Sequence, residues 1–151
     1  MENSSAFDSF EMQLTDEAKG FLREAGKWAM FLSILGFIGL GFMLLGGISI
    51  FTMGSTLDNT GTTGGMPFSF STFGIIYILM AILYFFPILY LYKFAASTKQ
   101  AILNNNTAKL TESIKNLKSH YKFIGILTII TIVGYILGAI IMVAVVASAA
   151  V

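Results

Sequence analysis

Residues 28–53 read WAMFLSILGFIGLGFMLLGGISIFTM, 26 residues with no charged side chain. A helix rises about 1.5 Å per residue, so roughly 20 apolar residues cross a hydrocarbon core ~30 Å thick. The stretch predicts a membrane span with length to spare. It does not read as a cleavable leader. It is preceded by 27 residues that include six acids, and its apolar run exceeds the usual core of about 7–15 residues.

The chain has two more such runs. Residues 73–92 are uncharged, and Pro87 within them removes a backbone donor and predicts a kink. Tyr90 and Tyr92, just before Lys93, suit the aromatic belt at a membrane interface. Residues 123–151 form the last uncharged run. As one helix it would be about 43 Å long, so tilt or protrusion is expected.

Composition agrees with three spans. Hydrophobic residues make up 56% of the 151 residues and charged residues 11%, against roughly 25% charged in soluble domains. A chain of this size has too much surface for its volume to hide that excess in a soluble core. There is no cysteine, which excludes disulfides, thiolate metal sites and cysteine nucleophiles together.

The charges are segregated. All nine basic residues fall in two places. Lys19, Arg23 and Lys27 precede the first span. Lys93, Lys99, Lys109, Lys115, Lys118 and Lys122 lie between the second and third. Three spans put both groups on one side, which the positive-inside rule makes cytoplasmic. The expected localisation is therefore a cytoplasmic (inner) membrane, with the N-terminus inside and the C-terminus outside.

The polar segments divide the rest of the chain. Residues 1–14 read as a flexible polar tail that includes acidic residues. Thr15 is a candidate N-cap, with Asp16 and Glu17 in the first turn. Residues 15–27 then read as an interfacial amphipathic helix. Residues 54–72 are a Gly/Ser/Thr-rich external loop whose only charge is Asp58. Residues 93–122 form a basic cytoplasmic segment, read as a helical hairpin or bent helix. In it Asn104, Asn105 and Asn106 interrupt, and Asn106 or Thr107 can cap a new helix. Phe94, Thr98, Ala101 and Ile102 share one face of this segment, and Leu110, Ile114 and Leu117 another.

No Asp, Glu, Lys, Arg or His lies inside a span. Such residues usually mark ion paths, proton relays or counter-ions, so proton-coupled transport by this chain alone is disfavoured. Small residues are the next feature. Gly36 and Gly39 in the first span, and the Gly134/Gly138 pair in the third, are candidate helix-packing positions, because helices in lipid associate at small residues. They close either on each other within the chain or on a second copy. Lys109, Lys115, Lys118 and Lys122 are candidate contacts for anionic lipid headgroups or a protein partner. The basic segment has no arginine and little aromatic interleaving, which argues against nucleic acid. Trp28 and Tyr121 are expected interface anchors.

Nothing implies a cofactor or a metal. His120 is the only histidine, and metal sites need several ligands. No phosphate-loop, HExxH or calcium-loop signature is present. The expected role is non-enzymatic: structural, regulatory or accessory, through lipid or protein contacts. Two rivals make definite structural demands. An oligomeric channel or carrier would line itself with Ser33, Ser49, Thr128 and Thr131. An interfacial enzyme would bring His120 and Glu112 together with Glu17 or Glu24.

Two stretches carry a resemblance. One is LTDEAKGFL at residues 14–22, continuing through Lys27-Trp28-Ala29 into FLSILGFIG at residues 31–39. The other is LKSHYKFIGIL at residues 117–127. Together they resemble a bacterial family of small three-helix inner-membrane proteins classed as a domain of unknown function, over about residues 14–140. The resemblance implies a bacterial inner-membrane setting and no assigned catalytic residue. The expected fold class is all-α, with three transmembrane helices and cytoplasmic amphipathic helices before the first span and between the second and third.

Overall fold

A computed structural model describes residues 15–61 and 69–149. Among these residues the chain is all-helical: α1 (Asp16–Asn59), α2 (Phe70–Leu103) and α3 (Thr107–Ala149). Each is long and apolar enough to cross a membrane. The tail at 1–14 and the part of the Gly-rich segment at 62–68 lie outside the described residues.

The helix ends are set by local chemistry. Thr15 Oγ1 accepts from the Ala18 amide at 3.2 Å, and Asp16 and Glu17 occupy the first turn of α1, where anions suit the helix dipole. Residues 16–27 are not a separate helix. They are the opening turns of the same 44-residue α1, which also continues to Asn59, beyond the expected span. Between α2 and α3 the three asparagines divide the work. Asn105 takes a left-handed conformation, φ 45°, which asparagine tolerates better than most residues. That turn lets the Asn106 amide donate back to the Ala101 carbonyl at 3.0 Å. Asn106 Oδ1 then accepts from the Lys109 amide at 3.0 Å and caps α3.

Antiparallel α1 and α2 pack along their whole length. The buried side of α1 is Gly26, Ser33, Leu40, Gly47 and Gly54, with Ala29 one turn from Gly26. The first five recur every seven residues. On α2, Gly74, Ala81 and Ala95 keep the same period and are buried, and Ile88, between Ala81 and Ala95 in that series, packs on Gly36. A sustained seven-residue repeat keeps one seam facing its partner, as in coiled coils. The approach is closest at the end away from the lysines. A Cβ on Gly47 would come within 2.8 Å of Ile78 Cγ1, and one on Gly74 would strike the Phe51 backbone.

Helix α3 lies against α2, which separates it from α1 except at the basic end, where Leu22 of α1 and Leu117 of α3 meet the same cluster. Its contacts are concentrated toward the basic end. Beyond residue 128, every α3 side chain whose exposure is described is exposed. Pro87 sits inside α2 without ending it.

Candidate functional site

All three helices converge at the basic end. Ala29 of α1 packs with Phe94 and Ala95 of α2, and Leu22, Met30, Leu91 and Leu117 close around them. One turn on, Gly26 faces Thr98, where a Cβ would stand 3.0 Å from Thr98 Cγ2. Thr98 in turn hydrogen-bonds Ser113 of α3. Ser113 Oγ donates to the Phe94 carbonyl at 3.4 Å. A hydroxyl has one hydrogen, so Thr98 is the donor to Ser113. Both hydroxyls are buried, and no described buried side-chain polar atom lacks a partner.

The basic residues surround this knot. Lys109 Nζ lies 2.8 Å from Glu112. The hydrogen bond and charge of Lys109 hold the Glu112 carboxyl below its ordinary value. Desolvation works against this, and Ser97 and Lys93 of α2 reinforce it. Lys115, Lys118 and Lys122 are exposed, and among the described residues none has an ion-pair partner. Their spacing of three and four residues puts them on one face of α3. Trp28 and Tyr121 are exposed as well, each edge-on to a neighbouring ring, Phe31 and His120 respectively.

His120 is half-buried where α3 crosses Pro87. Its Nδ1 lies 2.7 Å from the Pro87 carbonyl oxygen. A carbonyl only accepts, so Nδ1 carries the hydrogen. Above this tie, α2 and α3 part around a groove of about 370 Å³, bounded by Tyr84 and Ile88 on one side and Ile124, Leu127 and Tyr135 on the other.

The other candidate residues are dispersed. Glu112 lies eight residues before His120 on the same helix, about 12 Å along the axis. Glu17 and Glu24 are exposed on α1, and Glu24 borders a shallow hollow with Arg23, Lys27 and Trp28. Among the described residues no three of His, Asp and Glu are grouped to hold a metal ion. Ser33 is buried and donates to the Met30 carbonyl, while Ser49 is exposed and donates to Leu45. Thr128 and Thr131 line the groove, donating to the Ile124 and Leu127 carbonyls. The four do not share one lining. Of the candidate packing glycines, Gly36 faces Ile88, which an added Cβ would approach to 3.1 Å, whereas Gly39, Gly134 and Gly138 face open space.

The Pro87 crossing, the Thr98–Ser113 pair and the groove all fall within residues 68–146. That segment matches DUF5362, a family of unknown function. The chain belongs to this family. The match includes the His120-Tyr121-Lys122-Phe123 entry to the third apolar run, but not the Lys27-Trp28 entry to the first. No curated protein and no solved structure matches the chain.

Three features of the site are not evident from the sequence. The seven-residue seam mixes small residues with Leu40 and Ile88, and the off-seam glycines 39, 41 and 46 obscure it further. The Pro87–His120 tie joins residues 33 apart and has no local signal. Asp58 looks like nothing more than a loop charge. Its carboxylate accepts from the Phe70 amide at 2.9 Å and from the Ser71 amide and hydroxyl at 3.2 and 2.8 Å, capping a helix twelve residues on.

Proposed function

We propose that this chain is a non-enzymatic, multi-pass protein of the bacterial inner membrane, acting through lipid and protein contacts in a structural, regulatory or accessory role. The observation that supports it most is the exposed apolar surface of the helices. Phe42, Leu45, Ile129, Ile130, Ile140, Ile141 and Met142 are each at least 60% exposed. Only lipid or another membrane helix covers such a surface without a large loss of free energy. The basic end, with Lys115, Lys118 and Lys122 on one face, then sits in the cytoplasm and meets anionic headgroups or a partner protein.

The cysteine-free sequence gives a clean test of orientation. Single cysteines at Asn59 and Asn105 are exposed to a membrane-impermeant maleimide in intact spheroplasts. Labelling at position 59 alone is expected, and labelling at 105 alone would reverse the orientation. Affinity purification in mild detergent then separates the roles. A stoichiometric partner supports an accessory subunit, and a pure homo-oligomer favours self-assembly.

A further inference from the structure

We propose that the groove between α2 and α3 binds an uncharged, hydroxyl-bearing membrane lipid of the diacylglycerol type, with its hydroxyl on His120. This rests on the reading that the helices cross a membrane, since the groove would then open sideways into lipid. Three observations carry it.

The first is the histidine. The Nδ1 hydrogen is committed to the Pro87 carbonyl at 2.7 Å. That fixes the tautomer of the neutral ring and leaves Nε2 as an acceptor. The imidazole forms one end of the groove, so the site's head offers a lone pair and seeks a hydrogen.

The second is what the walls offer. Ile88, Ile124, Leu127 and Ile132 supply an apolar surface. Thr128 and Thr131 line it too, with their hydrogens used on their own helix, and Tyr84 and Tyr135 add two neutral hydroxyls. No Lys, Arg, Asp or Glu lines the groove. A phosphate or ammonium head would find no counter-charge there, and an unpaired charge is costly in such surroundings. A hydroxyl donates to Nε2 without bringing a charge.

The third is shape and placement. The volume of about 370 Å³ lies at the small end of ligand sites, roughly 300–1,000 Å³, which suits one chain of a lipid with the rest in the bilayer. His120 lies two residues from Lys118 and Lys122, at the basic end, and the apolar walls run away from it. The hydroxyl would therefore sit near the headgroup level and the chain would point into the membrane.

The test uses full-length protein and native mass spectrometry. Protein in detergent is offered a diacylglycerol, its O-methyl ether and phosphatidylglycerol in turn. The ether keeps the apolar body and loses only the donor. One diacylglycerol retained per chain is expected, about fivefold or more over the ether, as one hydrogen bond allows. His120→Phe should erase that preference. Leu127→Trp, which fills the groove and leaves the Pro87 tie in place, should lower retention of both neutral lipids if His120→Phe fails to fold. Equal retention of diacylglycerol and ether, indifference to both variants, or preferred retention of phosphatidylglycerol would each overturn the proposal. If cysteine labelling shows that the helices do not cross the membrane, the fault lies with the functional reading. Equal retention by a chain shown to span overturns only this inference.

Discussion

Gly74 and Gly134 both sit in apolar helices, and their surroundings differ completely. A Cβ on Gly74 has no room beside the Phe51 backbone, whereas Gly134 has nothing within 4 Å. Backbone yields less than a flexible side chain, so Gly74→Val should cost at least the ~1–3 kcal/mol typical of overpacking, read as a lower Tm in detergent. Gly134→Leu should leave that Tm unchanged. If Gly134→Leu also dissociates an oligomer seen by light scattering, the second-copy reading of Gly134 and Gly138 gains its evidence. The hydroxyl pair at the basic end gives a second residue-scale prediction. Ser113→Ala leaves the buried Thr98 hydroxyl without its acceptor and should cost about 1–3 kcal/mol. Adding Thr98→Val removes the orphan and should recover much of the loss, measured as a double-mutant cycle. Small residues are plain in the sequence, but which of them meet a neighbour is not. That depends on the partner helix, and a glycine looks the same whether it faces a backbone or open space.

At the scale of the elements, the three long apolar helices are legible because each contains an uncharged run of about 20 residues or more, enough to match a hydrocarbon core. Their ends are less so. The expected first span stops at Met53, where Gly, Ser and Thr become frequent, yet α1 continues to Asn59. Side-chain hydroxyls explain part of this. Thr52, Ser55 and Thr56 bond back to carbonyls of their own helix, so a Ser/Thr-rich stretch remains helical once α2 packs on Gly54. Asp58 then ties the far end of α1 to the start of α2. Asp58→Ala should cost about 1–2 kcal/mol, as losses of good helix caps do, with Asp58→Asn intermediate, by thermal unfolding. The start of α3 carries a pH-dependent tie. Lys109 lowers the Glu112 pKa, so Glu112 contributes stability above its unfolded value, near about 4.3, and loses it as pH falls through the lowered folded value. The side chain is solvent-accessible, so the effect should be small. The Tm difference between the wild type and Glu112→Gln should shrink toward zero in acid.

Across the whole molecule, the fastenings are unevenly placed. α1 and α2 are joined at both ends, by Gly26 on Thr98 at the basic end and by Asp58 on Phe70 and Ser71 at the other. α3 is held by Ser113, by His120 on Pro87 and by Phe123 against Phe86, all in its first half. A helix fixed along one half and bare along the other is free to change its angle wherever nothing packs against it. Local stability tracks the density of such contacts. Charge patterning indicates which helix ends share a side but does not reveal this asymmetry, because the uncharged second half of α3 reads the same whether or not a neighbour packs on it. Spin labels can measure it. Met53, Phe73 and Met142 are exposed, so labels there replace no buried contact. In lipid nanodiscs the Met53–Phe73 distance distribution should be narrow, set by the seam and the Asp58 cap. The Phe73–Met142 distribution should be broad, and it should narrow when a ligand fills the groove or a second helix packs on α3. Equal widths for the two pairs in the unliganded monomer would mean that α3 is held by contacts beyond those that fasten its first half.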